Sequence, residues 1–138
     1  MSINYLAIAV CAVLSMVIGF IWYGPLFGKQ WMKVTGATAL DKEARKKMQQ
    51  SAGPLYGVQF LLSIFQVWVL AYYIQNWSTI SGLTNALWIW AAFILPTVAG
   101  SSMWNNDKGN VKWARFLIQT GYQLVLFAVY GIILGMWR

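Results

Sequence analysis

Side chains capable of acid–base or metal chemistry are scarce in this sequence, and their positions limit what the protein does. The chain has no His, and its three acidic residues are Asp41, Glu43 and Asp107. All three lie between long apolar stretches, so the stretches themselves contain no carboxylate or imidazole for a proton relay or a metal site. Acid–base pairs and imidazole-assisted nucleophiles are therefore excluded within the apolar stretches.

One nucleophile arrangement remains, in which Ser101 or Ser102 is assisted by the amine of Lys108. Haem binding would need Met or water as ligand, because the usual axial His is missing. No Gly-rich loop follows a strand pattern, so a phosphate-binding loop is not predicted. We therefore expect no catalytic residue, no cofactor and no metal ion, and a protein that is not an enzyme.

Two stripes of polar side chains are the remaining candidates for a site. The first comprises Gln59, Ser63 and Gln66, and the second comprises Arg115, Gln119 and Gln123. Spacings of three and four place the members of each stripe on one helical face. Because an unbonded amide in hydrocarbon is costly, we expect these faces to point inward and to meet each other or a partner helix through hydrogen bonds. The alternative is that they line a path or pocket for a small solute, with Arg115 attracting anions at its cytoplasmic mouth.

The elements that must carry these stripes are four apolar stretches, each long enough to cross a bilayer. The 138 residues are 59% hydrophobic and 9% charged, whereas soluble domains are about 45–50% apolar and about 25% charged. Spans are predicted at about 3–23, 54–75, 82–103 and 111–137, with loops at 24–53 and 104–110. We expect an all-α membrane protein with a single four-helix transmembrane domain over residues 1–138.

Basic residues flank the spans unequally, and this predicts the orientation. Nine of the ten Lys and Arg residues lie in or beside the loops 24–53 and 104–110, and Arg138 lies on the other side. Because basic flanks are retained in the cytoplasm, both loops are expected there and both termini outside. The location implied is the inner, or plasma, membrane.

The first cytoplasmic loop contains charges at helical spacing. Opposite charges stand four residues apart, as in Glu43 with Lys47, and Thr38 is a candidate N-cap. A short amphipathic basic helix on the inner membrane surface is therefore predicted. The candidates for contact with anionic lipid head groups are Lys42, Arg45, Lys46 and Lys47. Nucleic-acid binding is the competing interpretation, but the cluster is narrow and tied to lipid, so no nucleic-acid partner is expected.

Small residues and prolines predict how the helices pack and bend. The candidate positions of close packing are Gly19, Gly53, Gly57, Gly131 and Gly135. Such spacings let backbones approach, but they do not decide whether the partner is internal or another subunit. Gly24 followed by Pro25 is expected to end the first helix, and Pro96 is expected to kink the third.

The segment GFIWYGPLFGKQWMKVTG, from Gly19 to Gly36, resembles the opening signature of the domain of unknown function 1761 family of small membrane proteins. The run LIQTGYQLVLFAVYGIILGMW is similar to the closing helix of that family. The residues that carry the opening match are Trp22, Tyr23, Pro25, Gly28 and Trp31. The resemblance implies a bacterial four-helix integral membrane protein, and it brings no activity and no functional residue.

Two functions are compatible with these features. The favoured one is a structural or accessory helix-packing module, either a homo-oligomer or a small subunit of a larger membrane complex. The alternative is a channel or carrier for a small neutral or anionic solute. Because four helices alone rarely enclose a pore, the alternative also requires an oligomer.

Overall fold

The computed structural model describes residues 3–36, 41–104 and 108–137, and within these ranges the chain is helical. The α-helices are α1 (Tyr5–Ile21), α2 (Gly28–Thr35), α3 (Lys42–Ser51), α4 (Gly53–Asn76), α5 (Gly82–Ile89), α6 (Leu95–Met103) and α7 (Gly109–Met136). Two π-helical turns, Trp22–Leu26 and Trp90–Ile94, follow α1 and α5 directly. The predicted cap Thr38 lies outside the described residues.

Four helical stretches are long and apolar enough to span a membrane. They are Tyr5–Leu26, Lys42–Asn76, Gly82–Met103 and Gly109–Met136. The second includes the charged helix α3, so α4 is its apolar part. The predicted all-α class and the predicted four candidate spans are therefore confirmed for the described part of the chain.

Side-chain caps set where three of the helices begin. Asn4 accepts a hydrogen bond from the Ala7 amide at 3.1 Å ahead of α1, and Ser81 accepts one from Thr84 at 3.1 Å ahead of α5. The Asp41 carboxylate accepts one from the Ala44 amide at 2.8 Å. Each cap satisfies an amide that the first helical turn leaves without an intrahelical partner.

The prediction that Gly24 and Pro25 end the first helix is wrong. The helix continues through both residues as the π-helical turn Trp22–Leu26, which closes with a 2.9 Å hydrogen bond from the Phe27 amide to the Trp22 carbonyl. A wider turn accommodates the proline, whose missing N–H and ring disrupt ordinary α-helical bonding. The chain then forms α2, a helix that the sequence pattern did not reveal.

The third span is interrupted near Pro96, but before the proline. The π-helical turn Trp90–Ile94 precedes α6, and Pro96 stands in the first turn of α6. The Leu95 amide, just before the proline, donates to the Trp90 carbonyl five residues earlier. This wider turn accommodates the proline, which has no N–H to donate. The interruption therefore takes the form of a π-helical turn between two α-helical halves.

Helix α7 lies at the centre of the bundle. It packs against α1, α2, α4, α5 and α6, while α1 also packs against α4. The fully enclosed core side chains include Ala7, Cys11, Val67, Ile74, Ala86 and Tyr130. The Asn4 side-chain amide donates to the Trp137 carbonyl at 3.3 Å, so the start of α1 and the end of α7 lie at the same end of the bundle.

Candidate functional site

An aromatic cluster forms where the end of α1, the helix α2 and the middle of α7 meet. Its centre is Tyr122, whose ring centroid lies 5.2 Å from that of Tyr23 and 6.4 Å from that of Trp22. Trp31 meets Tyr23 edge-on at 4.8 Å, and Phe27 lies 4.7 Å from Trp22. Offset and edge-on ring pairs of this kind favour a fixed arrangement. The opening segment of the chain therefore packs directly onto its closing helix.

Polar tips in this cluster bond to backbone on the opposite helix. The Trp22 indole Nε1 donates to the Ile118 carbonyl at 3.0 Å, and the Tyr122 hydroxyl donates to the Ser15 carbonyl at 3.0 Å. Hydrogen bonds between helices persist in hydrocarbon because no water competes for the groups. In one bond the donor lies at the end of the first span and the acceptor on α7, and in the other the donor lies on α7 and the acceptor on α1.

Two glycines make room for these rings. A Cβ added at Gly19 would lie 2.8 Å from the Tyr122 hydroxyl oxygen, and one at Gly121 would lie 3.0 Å from the Trp22 ring. Gly19 was a predicted packing position, and the structure places it under Tyr122. Gly121 was not a predicted packing position, because no second small residue stands four positions away.

Arg115 fastens α2 to α7. Its Nη2 donates to the Val34 carbonyl at 3.3 Å, and its guanidinium carbon lies 6.0 Å from the Trp31 ring centroid. Val34 is buried and stands one residue before α2 ends. A cation bonded to a carbonyl in the last turn satisfies an acceptor that the helix cannot. An anion-attracting role for Arg115 stays a prediction.

The two amide stripes are divided between the interior and the surface. On α4, Ser63 is buried and Gln66 half-buried, whereas Gln59 is exposed. On α7, Gln119 and Gln123 are both half-buried. Within the described ranges no hydrogen bond joins a glutamine of α4 to one of α7, so the two stripes do not pair inside one chain. Their pairing with a partner helix stays a prediction.

Three buried polar atoms have no hydrogen-bond partner within the described part of the chain. They are Ser102 Oγ, Gln123 Oε1 and the Tyr130 hydroxyl oxygen. Such atoms are rare in folded proteins because leaving them unbonded is costly. Each therefore marks a place where a ligand, a water molecule or a partner would be stabilised.

Three tryptophans within the predicted spans, Trp68, Trp88 and Trp90, lie in different surroundings. Trp90 is half-buried, and its Nε1 donates to the Thr120 carbonyl of α7 at 3.3 Å. Trp68 and Trp88 are exposed on the outside of the bundle. Trp90 thus has a packing role, and the other two face what surrounds the protein.

Glycines bring α5 and α7 into backbone contact. A Cβ added at Gly131 would lie 2.7 Å from the Gly82 carbonyl oxygen, and one at Gly135 would lie 3.1 Å from the Gly82 Cα. Gly131 and Gly135 were predicted packing positions, whereas Gly82 was not. By contrast, Gly53 and Gly57 have no atom within 4 Å of an added Cβ. Among the described residues, these last two therefore have open space where a side chain would begin.

A groove lies between α6 and the start of α7. Its volume is about 230 Å³, and the residues that line it include Ala99, Ser102, Met103, Lys112, Trp113 and Phe116. The Lys112 ammonium donates to the Met103 carbonyl at 2.8 Å across its edge. Of the suggested nucleophile arrangement, Ser102 lines the groove, while Ser101 and Lys108 are exposed.

Most charged side chains of α3 are exposed, and the position of this segment on the inner membrane surface stays a prediction. Lys42, Lys46 and Lys47 are exposed and Arg45 is half-buried. The helix contacts the start of α4. Its predicted contact with anionic lipid stays a prediction.

Metal ligands do not cluster in the residues described. Among these residues no group of three or more His, Cys, Asp or Glu side chains could hold a metal ion. Cys11 is a single buried thiol in α1.

Comparison with known proteins gives a match to a protein family. The family described as "Protein of unknown function (DUF1761)" matches residues 6–135, which is nearly the whole chain. No curated protein and no solved structure matches the chain. The match therefore carries no assigned activity.

Proposed function

We propose that this chain, which belongs to the family of proteins of unknown function DUF1761, is a non-enzymatic helix-packing module of a bacterial inner membrane. It acts as a homo-oligomer or as a small subunit of a larger membrane complex. In this proposal both termini lie outside the cytoplasm, and the basic loops 24–53 and 104–110 face it. The residues that contact anionic lipid head groups are Lys42, Arg45, Lys46 and Lys47.

The outer face of α4 carries the proposal. At Gly53 and Gly57 an added Cβ would have no described atom within 4 Å, so the two glycines leave a shallow surface. Glycines one turn apart allow the backbone of another helix to approach closely. The partner of this surface would therefore be a transmembrane helix from a second polypeptide.

Gln59 is an exposed polar position on α4. At about 100° per residue it lies on the far side of the helix from Gly53 and Gly57, so a helix on the glycine face would not reach it. An amide in lipid costs free energy unless it is hydrogen-bonded, so Gln59 would need a bonding partner of its own. The exposed Leu and Phe side chains on α4 do not indicate a protein partner, because lipid covers them equally well.

The test is to alter the glycine face and measure assembly. Gly57→Leu fills the shallow surface, and the expected result is loss of self-association or of co-purifying subunits in native mass spectrometry after gentle extraction. Gly100→Leu is the matched control, because Gly100 also lies in a spanning helix with no neighbour near an added Cβ. Assembly that survives both variants, or a wild-type chain that is monomeric and without partners, would contradict the proposal.

A second candidate is the oligomeric channel or carrier for a small neutral or anionic solute. The observation that favours it is a pair of buried polar atoms on α7, Gln123 Oε1 and the Tyr130 hydroxyl oxygen, which have no hydrogen-bond partner among the described residues. A solute path needs hydrogen-bonding groups of this kind inside the bundle. Gln123→Leu should then abolish solute flux into liposomes while assembly is unchanged. Wild-type liposomes that show no flux would remove this candidate.

A further inference from the structure

We propose that the groove between α6 and the start of α7 binds an anionic membrane lipid. Lys112 and Ser102 would hold its head group, and one acyl chain would lie along Trp113 and Phe116. The proposal concerns a single chain, so it holds whether or not α4 takes part in assembly.

Two hydrogen-bond donors are among the residues that line the groove, the Lys112 ammonium and the Ser102 hydroxyl. The Lys112 ammonium is anchored at 2.8 Å on the Met103 carbonyl, at the end of α6. An ammonium has three N–H donors, so others remain for an incoming oxygen. Among the described residues that line the groove, none is acidic. The ammonium group of Lys112 therefore gives this part of the groove a positive charge, which favours an anion.

Ser102 supplies an independent indication of a ligand. Its side chain is 2% exposed, and its Oγ has no hydrogen-bond partner among the described residues. A buried hydroxyl left unbonded costs free energy, and a head-group oxygen in the groove would accept its proton. The groove thus offers one charged and one neutral donor from two different helices.

The rest of the lining explains why the occupant is a lipid and not a free ion. The side chains of Ala99, Met103, Trp113 and Phe116 form apolar walls. A free phosphate would lose hydration against those walls without compensation, whereas a lipid presents its own apolar chain to them. Trp113 is 66% exposed, as expected of an indole at the boundary between head groups and hydrocarbon.

Selectivity should come from the head group. Lipid tails are as apolar as the groove, so an acyl chain gains little by leaving its neighbours in the bilayer. The charge on Lys112 distinguishes anionic from zwitterionic lipids that carry identical chains. Lipid binding here should therefore depend on the head group far more than on chain length.

The experiment is a lipid titration of the purified protein in detergent, followed by native mass spectrometry. We expect one tightly bound dioleoyl phosphatidylglycerol and several-fold weaker binding of dioleoyl phosphatidylcholine. Lys112→Gln should weaken phosphatidylglycerol binding about fivefold or more, and Lys112→Arg should preserve it. Lys108→Gln is the matched control, because Lys108 is an exposed neighbour that does not line the groove. It should change the affinity less than about twofold.

A second variant keeps the test independent of the Lys112 contact with α6. Ala99→Phe fills the groove and should remove the bound lipid while the melting temperature and helix content stay unchanged. Equal affinity for the two lipids, equal losses in Lys112→Gln and Lys108→Gln, or full binding by Ala99→Phe would overturn the proposal. Displacement of the lipid by inorganic phosphate alone would also overturn it, because the site would then be one for a free ion.

Discussion

The tightest single-residue contacts of the molecule are between backbones. Gly82 lies at the start of α5, and it meets Gly131 and Gly135 of α7 at distances that exclude a Cβ. Such proximity maximises dispersion contacts and permits weak Cα–H to carbonyl hydrogen bonds between the helices. These three positions therefore leave no room for a side chain larger than that of glycine. Among the described residues, Gly53 and Gly57 of α4 have no such constraint.

Gly131→Ala should destabilise the protein by about 1–3 kcal/mol, since the added methyl has no room between the helices. It would lie 2.8 Å from both the Ala86 Cβ and the Leu83 Cα. Gly100→Ala, in open space, should be neutral or stabilising by up to about 1 kcal/mol, because alanine favours helix. Reversible denaturation in mixed micelles measures both free energies of unfolding. Equal effects of the two substitutions would show that the backbone contact is not tight.

Tyr122→Phe should cost about 0.6–2 kcal/mol, because it removes the hydrogen bond to the Ser15 carbonyl and leaves the aromatic contacts in place. Tyr130→Phe is the matched comparison. The Tyr130 hydroxyl oxygen has no hydrogen-bond partner in the described residues. Its removal should change the free energy of unfolding by less than about 0.5 kcal/mol or stabilise the protein. A larger loss in Tyr130→Phe would reveal a bound water or partner at that hydroxyl.

Among the elements, the short helices α2 and α3 are held in place by different contacts. Helix α3 is exposed along most of its length and begins at the Asp41 cap, whose carboxylate bonds the Ala44 amide at 2.8 Å. Helix α2 differs, because Arg115 bonds its last turn and Val34 is buried beneath it. The stability of α3 should therefore respond to capping, and that of α2 to α7.

Asp41→Ala should lower the stability of α3 by about 1 kcal/mol, because the capping acceptor is lost. Asp41→Asn should preserve most of the cap, since an asparagine oxygen also accepts the amide proton. Amide hydrogen exchange over residues 42–51 measures the effect. Faster exchange in the alanine variant alone is the expected result. Similar exchange in both variants would mean that the contact with α4 holds the helix.

The long elements could be predicted from sequence and the short irregular ones could not. Four spans follow from the length and composition of the apolar stretches, and these properties depend on no neighbour. The π-helical turn at Pro25 was missed because Gly-Pro usually ends helices in water. No local feature of the sequence indicates that a wider turn can continue the helix. Helix α2 was missed because its eight residues depend on contacts with α7.

The candidate sites were less predictable, for reasons of distance along the chain. The contact of Gly82 with Gly131 joins residues about fifty positions apart, and no periodicity connects them. Ser102 and Lys112 line one groove only because α6 and α7 meet there. The glutamine stripes could be read from spacing, but spacing does not show which way a helix is turned. The spacing therefore did not predict that Gln59 is exposed while Ser63, in the same stripe, is buried.

At the scale of the whole molecule, one helix organises the rest. Helix α7 contacts α1, α2, α4, α5 and α6, and the Asn4 bond to the Trp137 carbonyl places the two ends of the described chain together. An even number of spans also places both ends on one side of a membrane. The unequal distribution of Lys and Arg predicts that this side lies outside the cytoplasm.

Reporter fusions test that orientation. Alkaline phosphatase fused to either terminus should be active, and green fluorescent protein at the same positions should be dark, because each reporter works on one side of the inner membrane. The same pair inserted after Lys108 should give the opposite result. Fluorescent fusions at the termini would show that the basic residues do not set the orientation.

The central position of α7 also determines when the protein can acquire its structure during synthesis. Ribosomes deliver the chain from the N-terminus, so the helix that nearly every other helix contacts emerges after all of them. Until it arrives, the Ser15 carbonyl lacks its partner from Tyr122, and the surface of Gly82 is uncovered. Before that point the earlier spans have only the contacts that they make with one another, such as that of α1 with α4. A chain that ended before residue 109 would lack every contact with α7, and we expect it to be much less stable than the full chain.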